Sequence, residues 1–394
     1  AIGTMEGQFF RHDEGSVLGE QSAIGEQSSM STNFHCLDTA SLTADDYHPD
    51  VPVQRWLSLS RTAGARGFKP GELAKVTKCP GGVLVERFFG FPTYMHLNVL
   101  PFLLPLAWLL GVLRPLVAFY LAPMFAGFAA CSLLLPRAKL GKTMEALQYA
   151  YTERNTQLYL SLRMLWPHSL HYPAFAKSPL LFAVIPHGFA PLGITAYPLW
   201  SKLFSDRLTR WTTAPFVLKL PLVGAGLRAI GYLPAKAKAI EDTLSVKEQS
   251  VGVVLDGIAG MFQAGPVEKA WVRKRKGIVK IALRTGTPIV PVYAFGHTQL
   301  WRVVVDPFGI LERLSIALDV SLVLGLGRFF WPLGPARRTP VLVACGDPIV
   351  CPKVESPSQE MIDKYHEKLV DGYRQVFDQH KEAFGWGHKE LQIV

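Results

Sequence analysis

Two uncharged runs dominate the hydrophobic pattern of this chain. Residues 97–113 (LNVLPFLLPLAWLLGVL) and 116–136 (LVAFYLAPMFAGFAACSLLLP) carry no charged side chain, and only Arg114-Pro115 separates them. As helices rising 1.5 Å per residue they would reach roughly 25 Å and roughly 32 Å, against a hydrocarbon core of about 30 Å. A two-residue junction leaves no polar loop for the far side of a bilayer. The pattern therefore predicts a helical hairpin inserted from one face at least as readily as two full spans. Arg87 ahead of it and Arg137, Lys139 and Lys142 behind it place both ends on the cytosolic side.

Beyond Lys142 the pattern changes to short apolar runs alternating with amphipathic stretches, which predicts an α/β domain over 140–394. Strands are expected at 180–185, 252–255, 289–294 and 341–345. A further apolar stretch, 318–333, holds Asp319, Arg328 and two glycines and is expected in the core with some membrane contact. Ahead of the hairpin, which is bounded at 92–139, residues 1–75 are rich in Gly, Ser, Asp and Glu without a sustained apolar period. That region is expected to be largely disordered.

Composition narrows the classes. With 394 residues, 49% of them hydrophobic, the chain can bury a substantial core. A net charge of +10 attracts polyanions, whether nucleic acid, anionic lipid or a nucleotide's phosphates, and the hairpin argues against nucleic acid. Five dispersed cysteines without CxxC spacing predict neither a zinc site nor a disulfide framework, in keeping with a reducing, cytosol-facing domain. The first 32 residues show no secretory signal, and Met5 is a candidate start.

Candidate chemistry lies where predicted strands end. In LLFAVIPHGFAPLG, Pro186 stiffens the strand exit, Gly188 lets a backbone approach, and His187 projects where ligands bind in an α/β sheet. An imidazole titrates near neutrality, which suits a general base; a histidine capping a helix or satisfying a buried carbonyl is an equal alternative. In VGVVLDGIAGMF, Asp256 and Gly257 stand at a second strand end, where Asp256 serves either as the acidic partner or only as a helix cap. Arg273, Lys274, Arg275 and Lys276 then precede a helix carrying Lys280 and Arg284, a run suited to phosphates or to a lipid surface; a solvated basic face is the alternative for any one of them. His297 and Asp306 are polar candidates with no evident partner in a mechanism.

Roughly residues 90 to 390 resemble the neutral-lipid acyltransferase family typified by the second type of diacylglycerol O-acyltransferase, with its monoacylglycerol and wax-alcohol relatives. The resemblance rests on blocks in order. These are the hairpin, Pro186-His187-Gly188 as the last three residues of a His-Pro-His-Gly motif, and Arg275-Lys276-Gly277 running through Pro291-Val292 to Phe295-Gly296. Gly327-Arg328-Phe329 with Pro332 and the closing segment from Gly346 to Gly385 complete the series. Three positions depart from the pattern. Ile185 replaces the first motif histidine, and Gly260 stands where a Gly-Gly-x-x-Glu block carries its acid. Leu192 holds the place of the aspartate that broader glycerolipid acyltransferases pair with their histidine. Val254-Leu255-Asp256-Gly257 is similar to the Phe-Pro-Glu-Gly block of those enzymes, which implies Asp256 as the acid of this site.

The resemblance implies a glycerolipid-acyltransferase-like mixed sheet flanked by helices and preceded by the membrane hairpin. It also implies transfer of a fatty acyl group from acyl-CoA, as co-substrate, to an acylglycerol hydroxyl, with His187 as base and no resident cofactor or metal. Partners would be acyl-CoA and a neutral glycerolipid, met by a membrane-embedded protein of the endoplasmic reticulum and lipid droplets with its catalytic domain facing the cytosol. A homo-oligomer is left open. The same chemistry on monoacylglycerol or a long-chain alcohol is the near alternative, and a catalytically silent lipid-binding or droplet-anchoring protein is the distant one.

Overall fold

A computed structural model of the chain describes residues 33–43, 46, 53–64, 67–76, 154–171, 175, 178–191, 203, 209–219, 224, 227–228, 231–262, 267–304, 306, 308–318, 323–330 and 336–394. The strands are β1 (Asn33–Asp38), β2 (Arg61–Gly64), β3 (Arg163–Pro167), β4 (Leu181–Ile185), β5 (Thr209–Thr213), β6 (Leu233–Pro234), β7 (Ser250–Val254), β8 (Glu268–Ala270), β9 (Ile289–Phe295), β10 (Arg302–Val303), β11 (Gly325–Leu326), β12 (Leu342–Cys345) and β13 (Leu391–Ile393). The helices are α1 (Val53–Leu59), α2 (Arg154–Tyr159), α3 (Ala237–Ser245), α4 (Gly257–Met261), α5 (Gly277–Thr285), α6 (Ile310–Leu318) and α7 (Gln359–His380).

Among the described residues nine strands form one mixed sheet in the order β2-β1-β3-β12-β9-β4-β7-β5-β6. The four strands expected from the sequence are β12, β9, β4 and β7, and they are contiguous in it. Parallel pairing of β4 with both β7 and β9 explains their unbroken apolar runs, because a parallel sheet is covered on both faces. Every residue of β4 and of β9 is buried accordingly.

One cover is α7. Ser358 caps it by accepting the Met361 N–H at 3.2 Å, and Leu369, Tyr373, Val376 and Phe377 repeat at helical spacing on its buried face. Phe377 stacks on Phe295 of β9 with centroids 5.5 Å apart, and the Tyr373 hydroxyl donates to the Ala183 carbonyl of β4 at 3.0 Å. The basic helix α5 buries Ile278, Ile281 and Leu283 and ties Arg284 to Glu241 of α3 at 3.0 Å.

Three expectations about organisation meet the structure differently. Within 1–75 the described residues include folded elements: β1 pairs antiparallel with β2 and β3, Trp56 is fully buried, and Phe34, Leu37 and Leu73 join the core. The polar composition concealed this because a six-residue strand needs only a few inward side chains once a sheet edge is waiting for it. The hairpin at 97–136 lies outside the described residues, and among those described no helix is long and apolar enough to cross a membrane. The described part of 318–333 is not core throughout, since Gly325 is buried in β11 whereas Leu324 and Phe330 are exposed.

Candidate active site at two strand ends

Because β4 and β7 run parallel in register, with Val184 opposite Val254, the segments that leave them emerge side by side. Leu255 N–H donates to the Val184 carbonyl at 3.0 Å and carries the pairing one step past the strand. His187 and Asp256 thereby meet at the carboxyl edge of the sheet.

The contact between them is not ring to carboxylate. The wholly buried Asp256 carboxylate accepts the main-chain N–H of His187 with both oxygens, at 2.9 and 3.0 Å. Its side chain makes no capping bond to α4, although its carbonyl accepts the Gly260 N–H. The side chain therefore does not cap α4, and it supports His187 through the backbone that carries the imidazole. Burial pushes its carboxyl up to about 7, against the pull of the His187 N–H, its own N–H and the Arg275 charge.

The imidazole of His187 is half-buried, and its Nδ1 lies 2.8 Å from the Gly188 carbonyl. A carbonyl can only accept, so Nδ1 carries the proton and Nε2 keeps its lone pair, the tautomer a base requires. Burial holds its pKa below the ordinary histidine value, opposed by the Gly188 carbonyl. The ring is therefore neutral and ready to accept a proton at neutral pH.

His297 completes the arrangement, and its role escaped the sequence. It follows β9, the strand on the other side of β4, and its Nδ1 donates to the Pro186 carbonyl at 3.2 Å. Gly188, at φ +60°, presses against it: a Cβ there would stand 2.9 Å from the His297 carbonyl oxygen and 3.0 Å from its Nδ1. Only glycine satisfies both the angle and the space. Burial drives the His297 imidazole down to about 3, helped by the neighbouring His187. The strand-end logic that selected His187 applies equally to Phe295-Gly296-His297, but which strand would neighbour β4 was not legible.

Gly257 adopts φ +53°, and a Cβ on it would lie 3.5 Å from Arg275 Nη2, so Arg275 is the member of the basic run that the fold brings to the strand ends. Arg273 and Lys274 are exposed in the turn before α5. Lys276 is paired with Asp363 of α7 at 2.7 Å. Asp306 caps α6, accepting the N–H groups of Ile310 and Glu312 at 3.1 and 3.0 Å. Among the described residues no group of three or more His, Cys, Asp or Glu side chains could hold a metal ion.

Residues 171–394 match the family model described as diacylglycerol acyltransferase. The chain belongs to this family. It is an O-acyltransferase, and the matched segment contains β4, β7, β9 and both histidines. The diacylglycerol O-acyltransferase 2 of Danio rerio is 28% identical over 254 residues, covering 60% of this chain and 69% of its own. The acyl-CoA wax alcohol acyltransferase 2 of Homo sapiens is 31% identical over 253 residues, covering 60% and 75%. The crystal structure of the 1-acyl-sn-glycerophosphate acyltransferase PlsC from Thermotoga maritima overlaps 72% of this chain and 97% of that chain, with 15% identity and a TM-score of 0.34.

Proposed function

We propose that this acyltransferase moves a fatty acyl group from acyl-CoA to the free hydroxyl of diacylglycerol, giving triacylglycerol. The observation that carries the reading is the imidazole of His187, neutral and with Nδ1 committed to Gly188, at the end of a central strand. Its Nε2 takes the acceptor's hydroxyl proton as the oxygen attacks the thioester carbonyl, and main-chain N–H groups receive the oxyanion. On collapse the C–S bond breaks, and the proton passes from the imidazolium to the departing thiolate of CoA. Asp256 keeps the His187 main chain in place, and Arg275 faces the phosphates of CoA.

The acceptor reading leans on relatives named for diacylglycerol. A relative named for wax alcohols, at 31% identity, favours a second reading in which the same base serves a long-chain alcohol. We further assign the protein to the endoplasmic reticulum membrane and lipid droplets, anchored by the hairpin at 97–136, with the catalytic domain in the cytosol.

The test is incorporation of labelled acyl-CoA by membranes bearing the full chain, offered diacylglycerol, monoacylglycerol and a long-chain alcohol in parallel. Triacylglycerol should predominate, and His187→Ala should lower it by on the order of 10²–10⁴-fold. Activity near wild type in that variant rejects His187 as the base, preference for the alcohol moves the acceptor assignment, and no transfer to any acceptor leaves a silent lipid-binding protein.

A further inference from the structure

A concavity of about 250 Å³ opens beside β10 and β11. Arg302, Arg328, Arg337 and Arg338 line it with Thr339 and Phe330, and no carboxylate is among the described residues of its wall. Four guanidinium groups on one wall give the cavity a positive potential that attracts an anion.

The frame that gathers them is fixed. Arg302 pairs with Leu326 across the β10–β11 ladder, Arg337 N–H donates to the Leu300 carbonyl at 2.7 Å, and Thr339 N–H donates to the Arg337 carbonyl at 2.8 Å. Arg328 bonds to the phenol of buried Tyr159, whose hydroxyl reaches the Ala336 carbonyl at 2.7 Å. Guanidinium forks held by a rigid frame match the oxygens of a phosphate group.

The rim says which kind of phosphate. Phe330 is 65% exposed, takes φ +57°, a conformation an aromatic residue rarely adopts, and lies with its ring 5.3 Å from the Arg302 guanidinium. In the same stretch of chain Val304, Phe308, Ile310, Leu311, Leu314 and Leu324 are also exposed. A water-borne nucleotide gains nothing from an exposed phenyl ring on the wall and exposed apolar side chains in the neighbouring stretch of chain, whereas a phospholipid brings an anionic head and apolar tails together.

The pocket also adjoins the strand-end site. Trp301, next to Arg302, packs on Phe189 with centroids 5.1 Å apart, and a Cβ on Gly325 would stand 2.7 Å from the Phe189 ring, two residues past His187.

We propose that this arginine-lined pocket binds the phosphate of an anionic phospholipid and seats the β10–β11 face on a lipid surface beside the reaction centre. The proposal goes beyond the acyl-transfer reading and does not depend on it. Its test is binding of short-chain phosphatidic acid, against phosphatidylcholine of the same tails, to the full chain in neutral detergent. Phosphatidic acid should bind more tightly. Arg302→Gln with Arg337→Gln, both at exposed positions, should weaken it by about tenfold or more at unchanged melting temperature. Should that pair fail to fold, Arg302→Lys keeps the charge, loses the fork and should give a smaller loss. His187→Ala should bind as wild type does. Equal affinity for the two lipids, or unchanged binding in the arginine variants, overturns the proposal. Displacement by CoA but not by its dephospho form reassigns the pocket to the coenzyme and also overturns it.

Discussion

The strand ends around His187 and the face formed by β10, β11 and α6 solve opposite problems with adjoining stretches of chain. At the strand ends almost nothing can move: Asp256 grips the His187 main chain, Gly188 lies against His297, and Gly260 lies against the Asp256 carboxylate. The other region leaves Phe308, Ile310 and Leu314 in the open, and exposed Phe330 lines a cationic hollow. The contrast teaches that an imidazole moving a proton needs a fixed lone pair, whereas a surface meeting a fluid lipid phase needs apolar area and charge but little precision. Substitutions should therefore be felt through geometry in the first region and through charge or apolar area in the second.

The comparison breaks most sharply at the imidazole itself. His187→Ala should lower acyl transfer by on the order of 10²–10⁴-fold while the melting temperature barely changes, because the ring is half-buried and its Nδ1 bonds only to the adjacent carbonyl. A large loss of stability would instead mark His187 as a structural histidine.

Next comes the packing beneath it. A methyl group on Gly260 would collide with the Asp256 carboxylate, which cannot retreat while it holds the His187 N–H. Gly260→Ala should cost about 1–3 kcal/mol in chemical denaturation and lower kcat with it. Adding Asp256→Ala should relieve the clash but leave the His187 N–H unsatisfied, so the double variant should regain stability ahead of activity.

Asp256→Asn sharpens the distinction between holding a backbone and tuning a ring. An amide oxygen still accepts the His187 N–H, so kcat should fall modestly, by about tenfold or less. The acid limb of kcat/KM, which lies below the usual histidine range because burial disfavours the imidazolium, should stay where it is. A displaced acid limb would show that the carboxylate acts on the ring directly.

Stability against pH gives a smaller effect, with signs that can be assigned. His297, lowered to about 3, and His380, lowered to about 4, are neutral in the folded chain. The unfolded chain protonates them below about 6.5, so their contribution is lost as pH falls from there. Asp256, raised to about 7, holds its proton in the fold, and its contribution is lost as pH rises towards 7. The two trends oppose each other between pH 7 and 4. Asp256→Asn removes the second, and the melting temperature should drop more steeply with acid than in wild type.

The mildest test is on the open face. Leu314→Ser should change stability by no more than about 0.5 kcal/mol, since the side chain is 45% exposed, yet reduce association with anionic vesicles. A stability loss comparable to a core substitution would place α6 in the interior and remove half of the contrast.

Much of this was legible from local pattern. Unbroken apolar runs marked β4, β7, β9 and β12 because the centre of a sheet covered on both sides buries both faces, and glycine or proline at their ends marked where the chain had to turn. His187 and Asp256 were found because each follows such a run. β1 was hidden: Asn33–Asp38 has no strong apolar signal, and its strand exists because β3 offers an edge.

What the sequence determined by itself was the list of strand ends and the chemistry each could present, since periodicity and turn residues act over a few positions. Only tertiary structure decided which ends would meet. Parallel pairing of β4 with β7 and β9 sets His187, Asp256 and His297 together from three distant segments. That pairing turned Asp256 towards a main-chain N–H, and other tertiary contacts set Lys276 beside Asp363 and collected four arginines around one hollow. The physical reason is that a hydrogen bond or an ion pair is won by whichever partner lies within about 3 Å, and that distance is set by how the sheet is ordered, which no local stretch of residues encodes.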